Sequence, residues 1–271
     1  MTLPKLTIVT PSFNSVNFIE ATIESVIGQR YPDLEYLVYD GGSTDGTVDI
    51  LRRQSEHIKW KMEPDEGQSD AINKGLRGAS GEIVSWINSN DIYLPGSFDT
   101  VAHFFVDHPE VGVVFGRVQM LDSDGMVRGE YQEGGTIDEN LAANLIASGH
   151  YLKLLKENSG WMPQQSVFWR RSLMERAGYL DPKLHFAMDY EYWLRLGRLG
   201  TIHFVNAWLG GFRLHEQAKS ANARKLWREI LAVDHAYGGP LFSKLHEKFL
   251  QECIRAVGRR MHVVQRTSRR D

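Results

Sequence analysis

Long apolar runs, cysteine and any strong excess of one charge are all scarce in this chain, and each scarcity closes a class of functions. No apolar run approaches the roughly 20 residues that cross a bilayer, so no spanning helix is expected. Met1-Thr2-Leu3-Pro4-Lys5 leads straight into a strand-like segment, without a charged and then apolar leader, which predicts no signal peptide. The single cysteine, Cys253, excludes an internal disulfide and Cys-rich metal sites, and fits a reducing compartment. A formal net charge of -3 gives no global attraction to nucleic acid. The expectation is a soluble, cytoplasmic protein with no nucleic-acid partner. At 271 residues, 42% of them hydrophobic, the chain can bury about three quarters of its unfolded surface without staples.

The first 120 or so residues alternate strand and helix patterns. Leu6-Thr7-Ile8-Val9-Thr10 is a β-rich run closed by Pro11. Asn17 is placed to cap a helix, with Glu20 completing a capping box and Gly28 at its end. Residues 34–39 form a near-continuous apolar strand of the kind covered on both faces, and Asp45 is placed to cap the next helix, packed through Val48 and Leu51. The unit recurs as a strand at 58–62 with a helix at 70–76, and a strand at 83–87 with a helix at 97–105. Such alternation implies βαβ units and a mainly parallel sheet, whose ligands sit at the carboxyl ends of the strands. Those ends carry Pro11-Ser12, Asp40-Gly41-Gly42 and Asn88-Ser89-Asn90-Asp91. Further on, strands are expected at 111–120, 165–170 and 201–214, helices at 171–177 and 189–197, and a helical pattern from 221.

Asp40 opens a Gly-rich turn that fits neither the dinucleotide fingerprint nor a Walker loop. At a strand's carboxyl end it can accept hydrogen bonds from a base or ribose, or simply order its turn. Asn88-Ser89-Asn90-Asp91 offers a carboxylate and amide oxygens to a hard divalent cation, although by itself it is also an ordinary turn. Asp122-Ser123-Asp124-Gly125 has literal Asp-x-Asp spacing, but it lies between strands, lacks the Glu of a calcium loop and reads as a hairpin. Asp189 can cap a helix or serve as a general base, and His215 closes Phe212-Arg213-Leu214-His215 with an imidazole that suits borderline metals.

"IVTPSFNSVNFIEATIESVIGQRYPDLEYLVYDGGSTDGT", "EPDEGQSDAINKG", "GEIVSWINSNDIYLPG", "PQQSVFWRRSLMERAGYLDPKLHFAMDYEYWLRL" and "FRLH", in that order, resemble family 2 glycosyltransferases over residues 5–220. The resemblance implies a GT-A fold: an α/β, Rossmann-like, mainly parallel central sheet flanked by helices, with a small additional sheet and C-terminal helices. It also implies an inverting enzyme that moves a sugar from a nucleoside diphosphate sugar, UDP-linked by preference, to a hydroxyl of a glycan or glycolipid. By position, Pro11, Ser12, Asn14 and Asp40 would hold the nucleoside, and Gln68, Asp70 and Asn73 would follow the nucleotide and donor sugar. Ser89, Asn90 and Asp91 would meet the diphosphate, with Asp91 and His215 binding Mn²⁺ or Mg²⁺. Asp189 matches the catalytic base, and Trp161, Gln164 and Gln165 fall where donor and acceptor sugars are read.

One departure stands out. Relatives usually carry Asp-Asp where this chain has Asn90-Asp91, and an amide neutralises no charge, so lower metal affinity is expected, seen as a high metal requirement or as relaxed dependence with His215 carrying more of the load. That substitution also supports a second reading, a catalytically weak nucleotide-sugar-binding relative. The chain divides into a nucleotide-sugar-binding half (1–120), an acceptor-binding half (121–220) and a C-terminal helical extension (221–271). Leu245, Phe249, Cys253, Val257, Met261 and Val264 recur at helical spacing, and Arg255, Arg259, Arg260, Arg266, Arg269 and Arg270 make the end basic. A packed helix with a solvated tail and a peripheral contact with anionic membrane both fit that pattern.

Overall fold

The computed structural model describes residues 2–130, 162–215 and 223–237. Trp161, Cys253 and the basic C-terminal stretch lie outside them. Among the described residues nine strands join in one curled sheet: β1 (Leu6–Ser12), β2 (Leu34–Asp40), β3 (Lys59–Met62), β4 (Ile83–Trp86), β5 (Ile92–Tyr93), β6 (Val111–Leu121), β7 (Val127–Glu130), β8 (Phe168–Arg170) and β9 (Thr201–Arg213). The order is β3-β2-β1-β4-β8-β6-β9-β5, with β7 hairpinned onto β6. Neighbours from β3 to β4 are parallel, as the βαβ pattern predicts. Beyond β4 the sheet is mixed: β8 runs antiparallel to both neighbours, β9 parallel to β6, and β5 antiparallel to β9. The turn at 122–125 closes the β6–β7 hairpin, where Asp122 Oδ1 accepts the amides of Asp124 and Met126, as expected for that segment.

Seven helices flank the sheet among the described residues: α1 (Ile19–Ile27), α2 (Thr47–Arg53), α3 (Gln68–Gly78), α4 (Ser97–Asp107), α5 (Arg171–Ala177), α6 (Met188–Leu199) and α7 (Ala223–Ala236). Alternation along β1 splits the core in two. Leu6 and Ile8 face α1, α2 and α4 with Ile23, Leu51 and Phe98, whereas Val9 faces α3, α6 and α7 with Ile72, Trp193 and Ile230. Gly75 lets α3 lie on β1, because a Cβ there would collide with the Val9 side chain. The second core centres on Trp86, stacked on Trp193 at 5.1 Å and edge-on to Trp169 at 5.4 Å. No described helix is long and apolar enough to cross a membrane.

Three local expectations need correction. The capping box at α1 does not form: Phe18 is the N-cap, no side chain caps the helix, and the Ser15 carbonyl takes the Phe18 and Ile19 amides. Residues 164–166 are a single 3-10 turn rather than strand, so β8 begins only at Phe168. The N-cap of α2 is Gly46 rather than Asp45, which accepts the Thr47 amide at 3.0 Å and its hydroxyl at 2.6 Å, and α2 buries Ile50 and Leu51 with Val48 only half-buried.

At the amino end of the strands, Glu35 of β2 is buried opposite its β1 partner Thr7. It accepts the Thr7 hydroxyl at 2.8 Å and the Ser80 amide and hydroxyl, each at 2.8 Å, and pairs with Lys59 at 3.0 Å. Burial alone would raise its pKa, but the Ser80 and Thr7 donors and Lys59 prevail and bring it down to about 2. A depressed carboxyl contributes stability above its unfolded pKa and loses it as pH falls through the folded value. Stability should therefore drop between about pH 4.5 and pH 2, by an amount on the order of 2–3 kcal/mol. Denaturant unfolding across that range should show the drop in the wild type and a flatter profile in Glu35→Gln.

Candidate active site

Above the carboxyl ends of β1 and β4 lies a cleft of about 930 Å³. Its first wall is the β1–α1 loop, with Pro11, Ser12, Phe13 and Asn14. Asn14 holds a left-handed φ of 48°, which Asn tolerates better than most residues. Two contacts with the β2–α2 turn fix it: its amide donates to Ser43 Oγ at 2.7 Å, and its Oδ1 accepts the Thr44 amide at 2.9 Å. Asp40 organises that turn by accepting the Gly42 and Ser43 amides and the Ser43 hydroxyl at 2.6 Å. Asp40 is thus buried in its own turn and does not line the cleft. It acts on the cleft through Ser43 and Asn14.

Asp65, which sequence reasoning did not single out, does line it. Gly41 makes room, since a Cβ at that position would collide with the Asp65 carboxylate. The signal was present in a carboxylate just past the end of β3, opposite a Gly-Gly turn. Phe13 is also new: 62% exposed, it presents an aromatic face beside the cleft.

The floor is the loop after β4. Gln68 Nε2 donates to Asn88 Oδ1 at 2.6 Å, and the hydroxyls of Ser89 and Ser15 meet at 2.6 Å, tying floor to walls. Asp91 is 0% exposed. Its Oδ1 accepts the Arg213 amide at 2.9 Å, and its Oδ2 accepts Gln165 Nε2 at 2.9 Å and Asn88 Nδ2 at 3.3 Å. Burial pushes its carboxyl up to about 6 against the pull of those donors and the Arg213 charge. Asp91 lines the cleft, and both of its oxygens already accept hydrogen bonds inside the protein.

His215 lies at the cleft edge with its Nε2 3.0 Å from Asn90 Nδ2 and its ring 4.7 Å from Phe18. Burial and the nearby Arg213 charge hold its pKa below the usual imidazole range, favouring the neutral form. No three His, Cys, Asp or Glu side chains among the described residues could hold a metal ion. The donor set therefore does not fit a tightly held resident cation.

The far wall combines the 3-10 turn with the start of α6. Gln164 and Gln165 line the cleft, and Gln165 reaches under the floor to Asp91. Asp189, in the first turn of α6, borders the cleft and accepts the Tyr190 amide on Oδ1 at 2.7 Å. His185, Phe186 and Leu226 join this wall, and none was foreseen. Two expected donor contacts turn away from the cleft. Asn73 is buried and exchanges two hydrogen bonds, each 2.9 Å, with the Leu180 backbone, while Asp70 pairs with Lys74 at 3.1 Å. Two buried polar atoms of cleft residues, Ser12 Oγ and Gln164 Oε1, have no hydrogen-bond partner among the described residues, and an orphaned buried group at a cleft invites a ligand.

A family model described as "Glycosyl transferase family 2" matches residues 7–174. Among curated proteins, the putative teichuronic acid biosynthesis glycosyltransferase TuaG of Bacillus subtilis is 26% identical, over 95% of this chain and 98% of its own length. An uncharacterized glycosyltransferase of Nostoc sp. is 24% identical over 76% of this chain. The chain spans 60% of that relative and 35% of another from Rickettsia felis. Among solved structures, S. aureus TarS 1-349 in complex with UDP-GlcNAc superposes with a TM-score of 0.66 at 18% identity, covering 91% of this chain and 71% of that 1-349 chain. A mannosyltransferase from Pyrobaculum calidifontis in complex with GDP-Man and Mn²⁺ gives 0.66 at 18% identity, covering 93% and 69%. These two share the GT-A fold with this chain.

A carboxylate that braces the floor and one that merely awaits a metal respond differently to removal. Asp91→Ala strands the donors of Arg213, Gln165 and Asn88, at about 1–3 kcal/mol for each one left unsatisfied. The expected outcome is a clear fall in Tm with chelator present. An unchanged or raised Tm in the chelated protein would mean that Asp91 is not a brace.

Proposed function

The chain belongs to glycosyltransferase family 2, and from that premise we propose that it transfers a sugar from a nucleoside diphosphate sugar, UDP-linked by preference, to a hydroxyl of a glycan or glycolipid in cell-surface polysaccharide synthesis. The observation that carries this reading is the sharing of one cleft by Asp189, the loop at 88–91 and the β1 end, which lie far apart in sequence. The similarity to TuaG along nearly the whole length of both chains supports the polysaccharide setting. TarS with UDP-GlcNAc and the mannosyltransferase with GDP-Man support a sugar nucleotide as donor.

In this reading the base stacks on the exposed ring of Phe13, and Asn14 and Asp65 supply polar contacts beside it. The orphaned Ser12 Oγ faces the same ligand, and the orphaned Gln164 Oε1 accepts from a sugar hydroxyl. Asp189 takes the acceptor proton while the acceptor oxygen bonds to the anomeric carbon. The bond from that carbon to the β-phosphate oxygen breaks on the opposite face, and the nucleoside diphosphate leaves with the electron pair, inverting the centre. A positioned base typically contributes about 10²–10⁴-fold, and alignment of the two substrates supplies much of the remainder. Charge on the leaving diphosphate meets neutral donors from Asn90 and His215.

The engaged Asp91 and the Asn90–His215 contact favour one further element of the proposal, that the nucleotide-free protein holds Mn²⁺ weakly. Titration of nucleotide-free protein with Mn²⁺ should not saturate in the micromolar range, and tight binding there would contradict the site described.

Nucleotide release from UDP-glucose, UDP-GlcNAc, UDP-galactose and GDP-mannose is the direct test of donor use. Turnover is expected with at least one UDP-sugar, and Asp189→Asn should cut it by roughly 10²-fold or more while leaving UDP affinity intact. Binding of UDP with no turnover of any donor would instead favour the catalytically weak, sugar-nucleotide-binding reading that Asn90 motivates.

A further inference from the structure

Helix α6 begins at the cleft without a cap of its own. Its N-cap residue, Ala187, has no side chain that can accept, and within the first turn Asp189 Oδ1 takes the Tyr190 amide. Three consecutive amides at that start, of His185, Phe186 and Ala187, converge on one atom from another helix. They donate to Glu229 Oε2 at 3.0, 2.7 and 3.1 Å. Successive N–H groups aimed at one point form an anion cradle, and the positive end of the α6 dipole adds to it. Glu229 sits in the middle of α7, beyond the residues 7–174 that the family model matches.

The same segment of α7 meets the cleft itself. Leu226, one turn before Glu229, lines it beside His185, Phe186, Met188 and Asp189. A second tie lies further along both helices. Tyr237 Oη donates to Glu191 Oε1 at 2.5 Å, and the Arg198 guanidinium stacks 4.3 Å from the Tyr237 ring. From the opposite side, Ser69 Oγ donates to the Leu184 carbonyl at 3.1 Å, and Asn73 holds Leu180. The loop carrying residues 180–187 is thus strapped to α3 on one flank and capped by α7 on the other.

We propose that Glu229 is a positioning residue for Asp189: it caps α6 in trans and fixes the first turn from which the Asp189 carboxylate meets the acceptor. The proposal rests on the reading of Asp189 as the base. It also makes α7 a working part of the acceptor wall. An anionic cap engages three amides at once, so the direction of the first turn of α6 depends on a charge that α6 does not carry.

The test compares full-length wild type, Glu229→Gln and Glu229→Ala. By hydrogen–deuterium exchange, the amides of residues 185–187 should be protected in the wild type and exchange roughly tenfold or more faster in Glu229→Ala, while β1 and β4 stay unchanged. Glu229→Gln keeps a neutral acceptor and should fall between the two, and it remains informative if the alanine variant does not fold. With the sugar nucleotide that the wild type turns over, kcat should fall in the same order, with the donor KM and calorimetric UDP affinity unchanged. Equal exchange at 185–187 in all three proteins, or an unaltered kcat beside opened amides, overturns the proposal. The exchange measurement needs no turnover, so loss of the cap is distinguishable from failure of the base assignment, which Asp189→Asn addresses separately.

Discussion

The buried carboxylate of Asp91 is the interaction on which the site depends. One side chain receives the end of β9 through the Arg213 amide, the 3-10 turn through Gln165 and its own loop through Asn88. Its carbonyl also takes the Thr22 hydroxyl of α1 at 2.7 Å. These contacts come from segments on both sides of the point where the sheet changes from parallel to mixed. Burying an ionisable group is costly, and a carboxyl pushed up to about 6 is the sign of that cost. A less demanding residue could not satisfy donors arriving from three directions. The loop at 88–91 is therefore held in place before any ligand arrives, which is what a site needs if it is to avoid ordering costs on binding.

The two ends of the strands use buried carboxylates in opposite senses. At the amino end, Glu35 has more donors than its burial demands and sits at about 2, so it supports the fold near neutrality. At the carboxyl end, Asp91 is pushed the other way and lies near the cleft. Through Glu35, β1, β3 and the segment before β4 are tied to β2 at that end. The cleft end carries the left-handed Asn14 and the orphaned polar atoms of Ser12 and Gln164. This division follows from the parallel arrangement, which sends every loop after β1, β2 and β4 to the same edge.

The parallel half was legible because its signals are local: buried strands read as apolar runs, and Gly or Asp marks their ends. Helix limits were legible to within a residue or two, except where tertiary contacts replaced a local cap. The α1 capping box failed because the Ser15 carbonyl already took the first amides. For the site, the chain positions of Ser12, Asn14, Gln68, Asn90, Gln165, Asp189 and His215 were legible, and all of them line the cleft. What the pattern could not show is which polar groups are already engaged. Asp40, Asn73 and Asp91 have the residue type and the position of ligand contacts, yet each spends its hydrogen bonds inside the protein. Phe186 and Leu226 were missed for the converse reason, since only the packing of distant segments brings them to the cleft.

The pairing of Asn90 with His215 follows from the same logic. An aspartate at 90 would add a second negative charge beside Asp91, and that charge would need a cation or a protonated imidazole to offset it. With asparagine there, the amide can satisfy His215 directly, and burial together with Arg213 favours the neutral ring. Under the proposed function, Asn90 and His215 would offer the diphosphate a neutral amide and a neutral imidazole. Recognition of a diphosphate in the proposed reaction would then rest on hydrogen-bond geometry more than on net charge. Geometry of that kind is only as good as its supports, so the straps from Ser15 to Ser89, from Gln165 to Asp91 and from Glu229 to the start of α6 bear on the same chemistry from three sides.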